Sequence, residues 1–426
     1  MQIQRLADLD SSERAAILAR GGEVSADVKE GVAEILQAVT TRGVAAVLEF
    51  TQKFDGVELS SLELSAAELA AVDESAAEYD FLREAAANIQ KFHENQLANI
   101  NSEQKVETVK GVETWREWRP IEKVGIYAPG GLATYPSSVL MQAIPAKIAG
   151  CSEIILATPP KKDGSLDPVV IAAAKISGVT KILKVGGAQA IGALAFVEQV
   201  EKITGPGNPW VTEAKTQVSA EIPIDMPAGP SEILILADDF AVPKFVAADL
   251  LSQAEHASDS TSILVTTSEK LAEAVVAELD SQIEKLSRKE IAEQSLTSRG
   301  RILVADDLDS AIEFANEFAA EHLELCVEDS EKALAKIQNA GSVFLGNFSS
   351  EPAGDFASGT NHVLPTAGFA KNFAPLSVET FGKKIQVQKI SKEGLSEIRE
   401  VCEKFGELEG LDAHARSISI RFEDAN

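Results

Sequence analysis

The segment EIILATPPKKDGSLDPVVIAAAKISGVTKILKV, residues 153–185, reads as strand, helix, strand. Short apolar runs at 153–157 and 181–185 flank an Ala- and Val-rich stretch. Its start carries Asp167 as a capping acceptor and Pro168 at the first helical position, and Gly178 lies just past its end. That asymmetry is how helices are punctuated: a missing N–H costs nothing in the first turn, and only glycine turns left-handed freely at the end. The same texture runs outward in both directions. Strand-like runs recur at 124–127, 201–204 and 232–236, and a second series follows at 262–266, 301–305, 323–327 and 342–345. Alternation of short apolar strands with helical stretches predicts parallel sheets with crossover helices. The expected fold class is therefore α/β, with two Rossmann-like units.

Upstream the pattern is helical. Val28, Val32, Ile35, Leu36 and Val39 recur at helical spacing between a cap at Ser25 and a terminating Gly43, and Ser65 with Glu68 forms a capping box. Downstream of 391 a helix is expected, followed by a loop and then an alternating edge strand at 417–422. The expected organisation is an arm at 1–24, a main α/β domain from 25–126 and 233–378, a second α/β domain at 127–232, and a small C-terminal dimerisation segment at 379–426.

With 426 residues and 45% hydrophobic content, the chain is long enough for more than one buried core. A formal charge of −27 opposes binding to phosphodiester backbones or anionic lipid, so no nucleic acid and no membrane is expected as partner. No apolar run approaches the roughly 20 residues of a membrane span, and the first residues lack a signal peptide's apolar core. Three cysteines without CxxC spacing suggest neither disulfides nor a thiolate metal site, which fits a cytoplasmic protein.

Five histidines occur, and four of them stand among acids or amides in the second half. In SQAEH, Gln253 and His256 are three apart, on one face of a helix expected to begin near Pro243. In EHLE, Glu321 and His322 are adjacent where a helix runs into a strand, a pairing suited to acid/base work because imidazole titrates near neutrality. The run 346–366 is rich in Gly, Ser, Asn and Pro; it reads as a functional loop presenting Asp355 and His362. Near the C-terminus, EGLDAH supplies Glu409 and His414. Taken singly, each segment also suits a solvated helix end or surface loop. His93, beside Ile89 and Phe92, reads as a packing residue. No GxGxxG fingerprint is present; three glycine turns follow expected strands instead, at 127–131, 185–192 and 203–210, each able to bring backbone amides toward a pyrophosphate.

Together YPSSVLMQAIPAKIAG, GGAQAIGALAF, GPGNPWVTEAK, IDMPAGPSE, SQAEH, EHLE, GTNHVLPT and EGLDAH resemble, in order and spacing, the histidinol dehydrogenase family, over nearly the whole chain. Val44 and Ala257 depart from the family's pattern outside these motif residues. The resemblance implies oxidation of L-histidinol through its aldehyde to L-histidine with two NAD⁺, and one Zn²⁺ per subunit held by Gln253, His256, Asp355 and His414. It implies a homodimer whose active sites are shared, with Glu409 and His414 supplied across the subunit boundary. Tyr127, Gln189 and Asn208 match the family's NAD contacts. Ser231, Gln253, His256, His322, Asp355, Glu409 and His414 match its substrate contacts, with His362 a neighbour. Glu321 and His322 match its acid/base pair. Three competing readings remain at this stage: the same scaffold acting on another small polyol, a zinc hydrolase using Glu321 on a bound water, and a non-catalytic scaffold with a structural metal.

Overall fold

The computed structural model describes residues 1–20, 24–130, 134–227 and 229–423. It divides into two compact units, one of Met1–His93 with Ile121–Phe381, the other of Glu94–Pro120 with Gly382–Asn426. Gly131 of the first glycine turn and Ala228 of MPAGPSE lie outside the described residues.

The strands run in chain order as β1 (Ile3–Arg5), β2 (Val106–Val109), β3 (Val112–Pro120), β4 (Lys123–Tyr127), β5 (Glu153–Thr158), β6 (Lys181–Lys184), β7 (Lys202–Thr204), β8 (Glu232–Ala237), β9 (Thr261–Thr266), β10 (Arg301–Val304), β11 (His322–Cys326), β12 (Ser342–Leu345) and β13 (Gly382–Ile390). The larger unit holds two parallel sheets. One has the order β6-β5-β4-β7, and the other β1-β10-β9-β8-β11-β12. In each, the chain winds outward in one direction and then crosses to the opposite side of its first crossover strand, the doubly wound pattern expected from the sequence. β1, inside the segment expected as an arm, pairs in parallel with β10 as the edge of the larger sheet.

Burial on both faces explains why most of these strands carry apolar runs, with β11, which buries His322 and Glu324, as the exception. Along β8, Ile233 and Ile235 join the core formed with the Pro243–Ala254 and Glu269–Ile283 helices, while Leu234 and Leu236 point into a second core with Phe314 and Phe318 of the Leu308–Phe318 helix. Each such side chain, fully withdrawn from water, stabilises the fold by about 1.5–3 kcal/mol. A third core joins the smaller sheet to Val32, Ile35, Leu36 and Val39, the face read from the sequence on the Ala26–Arg42 helix. The punctuation holds: Asp167 accepts from Val169 N–H, Ser25 from Val28 N–H, Ser65 and Glu68 close a capping box, and Gly178 turns left-handed at φ 88°.

The smaller unit carries an antiparallel sheet, β13-β3-β2, that the sequence reading did not anticipate. Its tail is also different from expectation. Residues 417–422 belong to a helix, Asp412–Ser419, and a single 3-10 turn, Ile420–Phe422, rather than an edge strand. Ala415, Ile418, Ser419 and Phe422, the partly buried positions there, are spaced for a helix. Among the described residues no helix is long and apolar enough to cross a membrane.

Candidate active site

The chemistry-bearing residues of the larger sheet gather at the amino ends of its strands. His322 is the first residue of β11 and sits beside Ile233 of β8 and Ser342 of β12. Glu321 precedes it, after the Leu308–Phe318 helix has ended at Ala319 in the left-handed region. Both side chains are buried. The backbone of Glu232 fixes the pair from two sides: its N–H donates to Glu321 Oε2 at 2.8 Å, and its carbonyl lies 3.0 Å from His322 Nδ1. A carbonyl only accepts, so Nδ1 carries a proton and Nε2 is the ring nitrogen turned toward the site. Gln253 Oε1, also 3.0 Å from Nδ1, shares that proton. Glu232 is itself anchored, its carboxylate 2.9 Å from Arg20 Nε and accepting from Ala367 N–H at 2.8 Å.

His322 Nε2 faces Asp355 Oδ1 at 3.4 Å. Burial works against charge on this ring, but Glu321 and Asp355 outweigh it and push His322 up to about 10. Burial pushes Glu321 up to about 8. Asp355 is held at about 2, because His322, 3.4 Å away, and the nearby His362 overcome its own burial.

The run 346–366 is not a loop throughout. Ser350 precedes a short helix, Glu351–Phe356, with Pro352 in its first turn. That helix brings Glu351 and Asp355, one turn apart, to the same face. His256 is presented from the turn just after the Pro243–Ala254 helix, one residue beyond its Glu255 cap, rather than from the helix itself. One donor atom each from His256, Glu351 and Asp355 falls within 4.8 Å of the others, a cluster able to hold a metal ion. Next to it, Gln253 Nε2 and His322 Nε2 are buried with no hydrogen-bond partner among the described residues. Buried nitrogens left open beside a carboxylate cluster are what a bound group would complete.

Glu351 is the site residue that the sequence reading missed. Its signal was available: an acid, a proline at the head of a helix, and an aspartate four residues on. Ser138 was also passed over within YPSSVLMQ. Its hydroxyl lies 3.3 Å from His362 Nε2, while His362 Nδ1 donates to the Asp355 carbonyl at 3.0 Å. Ser231 sits at the entrance to β8, with its carbonyl accepting from Thr261 N–H. Glu409 and His414 belong to the smaller unit, at the end of the Lys392–Leu408 helix and on the Asp412–Ser419 helix, and both are exposed there. His93 is fully buried, edge-on to Phe92 and 3.4 Å from Asn361 Nδ2.

The expected cofactor residues cluster at the carboxyl edge of the smaller sheet, where β4 and β7 are the strands between which the winding reverses. Open α/β sheets bind ligands in that crevice. Tyr127 ends β4; its hydroxyl accepts from Gly187 N–H at 3.3 Å, and burial pushes it up to about 12. Gln189 Nε2 reaches Asp55 Oδ2 at 3.4 Å. Asn208 caps the Pro209–Val218 helix, accepting from Trp210 and Val211 N–H. Between them Gly205 adopts φ +122°, and a β-carbon there would lie 2.2 Å from the Tyr127 carbonyl oxygen. A buried ion pair holds this glycine at both ends: Asp225 accepts its N–H and Lys215 donates to its carbonyl, each at 2.7 Å.

A buried acid and imidazole beside a cluster of cation donors, on a doubly wound α/β scaffold, make up the kind of site enzymes use for proton and hydride chemistry. The family model described as histidinol dehydrogenase matches residues 18–422, and the chain belongs to that family. It is 47% identical to the histidinol dehydrogenase of Methanosarcina mazei over 99% of this chain and 98% of that one, and 46% identical to that of Clostridium acetobutylicum over 95% and 94%. The crystal structure of histidinol dehydrogenase from Elizabethkingia anophelis superimposes with a TM-score of 0.93, at 43% identity, covering 99% of this chain and 98% of that one.

Proposed function

We propose that this protein oxidises L-histidinol through L-histidinal to L-histidine, taking up two NAD⁺ and using one zinc ion per subunit. The observation that carries this reading is the His322 ring: Nδ1 is pinned by Glu232 and Gln253, while the open Nε2 faces the donor cluster.

The zinc ligands in this reading are Gln253, His256, Asp355 and His414 of the partner subunit. His256 and Asp355 fit, since they already share a cluster, and Gln253 would ligate through its amide oxygen, which lies 3.0 Å from His322 Nδ1 beside that cluster. When bound, zinc supplies a positive charge that keeps the substrate's amine and imidazole unprotonated and competes with His322 for Asp355. Tyr127, Gln189 and Asn208 contact NAD⁺. Ser231, Gln253, His256, His322 and Asp355, with Glu409 and His414 of the partner subunit, surround histidinol.

In its neutral form, His322 takes the hydroxyl proton on Nε2 as the carbinol carbon gives its hydride to the nicotinamide, leaving the aldehyde, NADH and one proton. The aldehyde has no second hydride to give until water adds. Glu321, with Oε2 held by the Glu232 N–H, keeps its other oxygen for that water's proton. A carboxyl group that burial has moved to about 8 exchanges protons readily near neutrality. The hydrated aldehyde then releases its hydride to the second NAD⁺, and His322 again accepts the hydroxyl proton. The products are the carboxylate, a second NADH and two further protons.

A homodimer follows from the same reading. The Lys392–Leu408 helix exposes Val401, Phe405 and Leu408 at 58%, 59% and 73%, an apolar stripe of the kind that subunit interfaces cover. Free Cys151, Cys326 and Cys402 agree with a cytoplasmic location.

The test is NADH formation by the zinc-loaded protein with L-histidinol and with L-leucinol, which has the amino alcohol but no imidazole. Turnover of histidinol alone, lost on chelation and restored by zinc, supports the proposal. Equal turnover of both, or turnover indifferent to chelation, contradicts it.

A further inference from the structure

We propose that Glu351 is a positioning residue for the cation donors His256 and Asp355, braced from behind by Glu324 and Asp249. This rests on the metal reading above.

Glu351 is 1% exposed, and an acid is that deeply buried only where something engages it. One of its oxygens accepts the Ser252 hydroxyl at 2.9 Å, next in the chain to Gln253. Its carboxyl group also meets that of Asp355, one helical turn on. Its own N–H donates to Glu324 Oε1 at 3.0 Å. Glu324 is likewise 1% exposed and lies two residues along β11 from His322, hence on the same face of the strand. Behind it, the Glu324 carboxyl group faces that of Asp249, which precedes Gln253 by one turn on the Pro243–Ala254 helix.

These contacts join the three elements that carry the site: the helix leading to Gln253 and His256, the strand of His322, and the short helix of Asp355. Glu351 stands at their junction, with a donor atom within 4.8 Å of those of His256 and Asp355. It is outside the ligand set assigned above, which makes its work that of an outer carboxylate fixing where the ligands point. Removing such a partner weakens metal binding by roughly 10- to 100-fold.

The experiment uses the full-length protein, stripped of metal and titrated with Zn²⁺ against a chromophoric chelator, with melting temperature followed alongside. Glu351→Ala is expected to weaken zinc binding by roughly 10- to 100-fold, and Glu351→Gln, which keeps the shape and the Ser252 contact, to recover most of that loss. Glu351→Ala within twofold of the parent would overturn the inference. If Glu351→Ala does not fold, Ser252→Ala decides, because it removes only the hydroxyl: a severalfold weakening supports the bracing and unchanged affinity refutes it. His256→Ala separates the two levels. Zinc lost in His256→Ala but kept in Glu351→Ala sinks this inference alone, whereas zinc kept in both sinks the metal reading.

Discussion

Replacing His322 by alanine is the perturbation whose consequences the structure defines most fully. The ring is 3% exposed and touches four site residues, so the variant loses three things at once. It loses the proposed base, which would remove about 10²- to 10⁴-fold of rate, or roughly 3–5 kcal/mol of transition-state stabilisation. It loses the donor shared by the Glu232 carbonyl and Gln253 Oε1, leaving one or both unpaired at about 1–3 kcal/mol. It also leaves Glu321 and Asp355 without the ring that stood between them. The expected phenotype is a fall in kcat of at least about 100-fold with L-histidinol, with the melting temperature lowered by several degrees. Initial NADH rates at saturating histidinol and NAD⁺, with zinc content confirmed, give the first number, and thermal denaturation gives the second. A kcat within about threefold of the parent, in folded and zinc-loaded protein, would remove His322 as the base.

Three further outcomes are expected. Gly205→Ala places a β-carbon 2.2 Å from the Tyr127 carbonyl at φ +122°, so it should destabilise the protein by about 3 kcal/mol or more and weaken NAD⁺ binding measured by calorimetry; a variant with parent stability and affinity would show that this turn is not constrained as described. Lys215→Met strands buried Asp225 without its cation and should cost about 3–5 kcal/mol in urea denaturation; an unchanged midpoint argues that the pair contributes nothing. Glu321→Gln concerns pH. Because the folded protein holds the Glu321 proton more tightly than the unfolded chain, that group's contribution to stability is full below its ordinary value of 4.5 and fades as pH rises through about 8. Between those limits the parent should therefore lose stability relative to the variant, and parallel profiles would contradict the assignment.

The parallel sheets were legible because strands covered on both faces are mostly apolar, as Glu232–Ala237 is after its first residue and Thr261–Thr266 is at Ile263–Val265. Helix ends were legible for a different reason: Asp167, Pro168 and Gly178 act locally, without help from the tertiary fold. The antiparallel sheet was hidden because β2 and β13 are largely exposed and polar, so no apolar run betrays them. The tail misled because Ser417-Ile418-Ser419-Ile420 alternates over a stretch too short to separate a period of two from one of 3.6. Within the site, His256, Glu321, His322 and Asp355 stood out as rare imidazoles and their acids. Glu351 did not, because its importance comes from the short helix that turns it toward Asp355, and glycine- and serine-rich flanks disguised that helix as loop. Ser138 was hidden for a related reason: nothing local says that a first-turn serine meets a histidine 224 residues away.

The central claim is that one site, built from Glu321 and His322 beside the donor cluster, carries an alcohol through two successive oxidations. Its most direct test is the ratio of NADH formed to L-histidine released from a limiting amount of L-histidinol. The account predicts two NADH for each histidine, with no free aldehyde trapped by semicarbazide. One NADH for each histidinol consumed, with the aldehyde as the product, would contradict it.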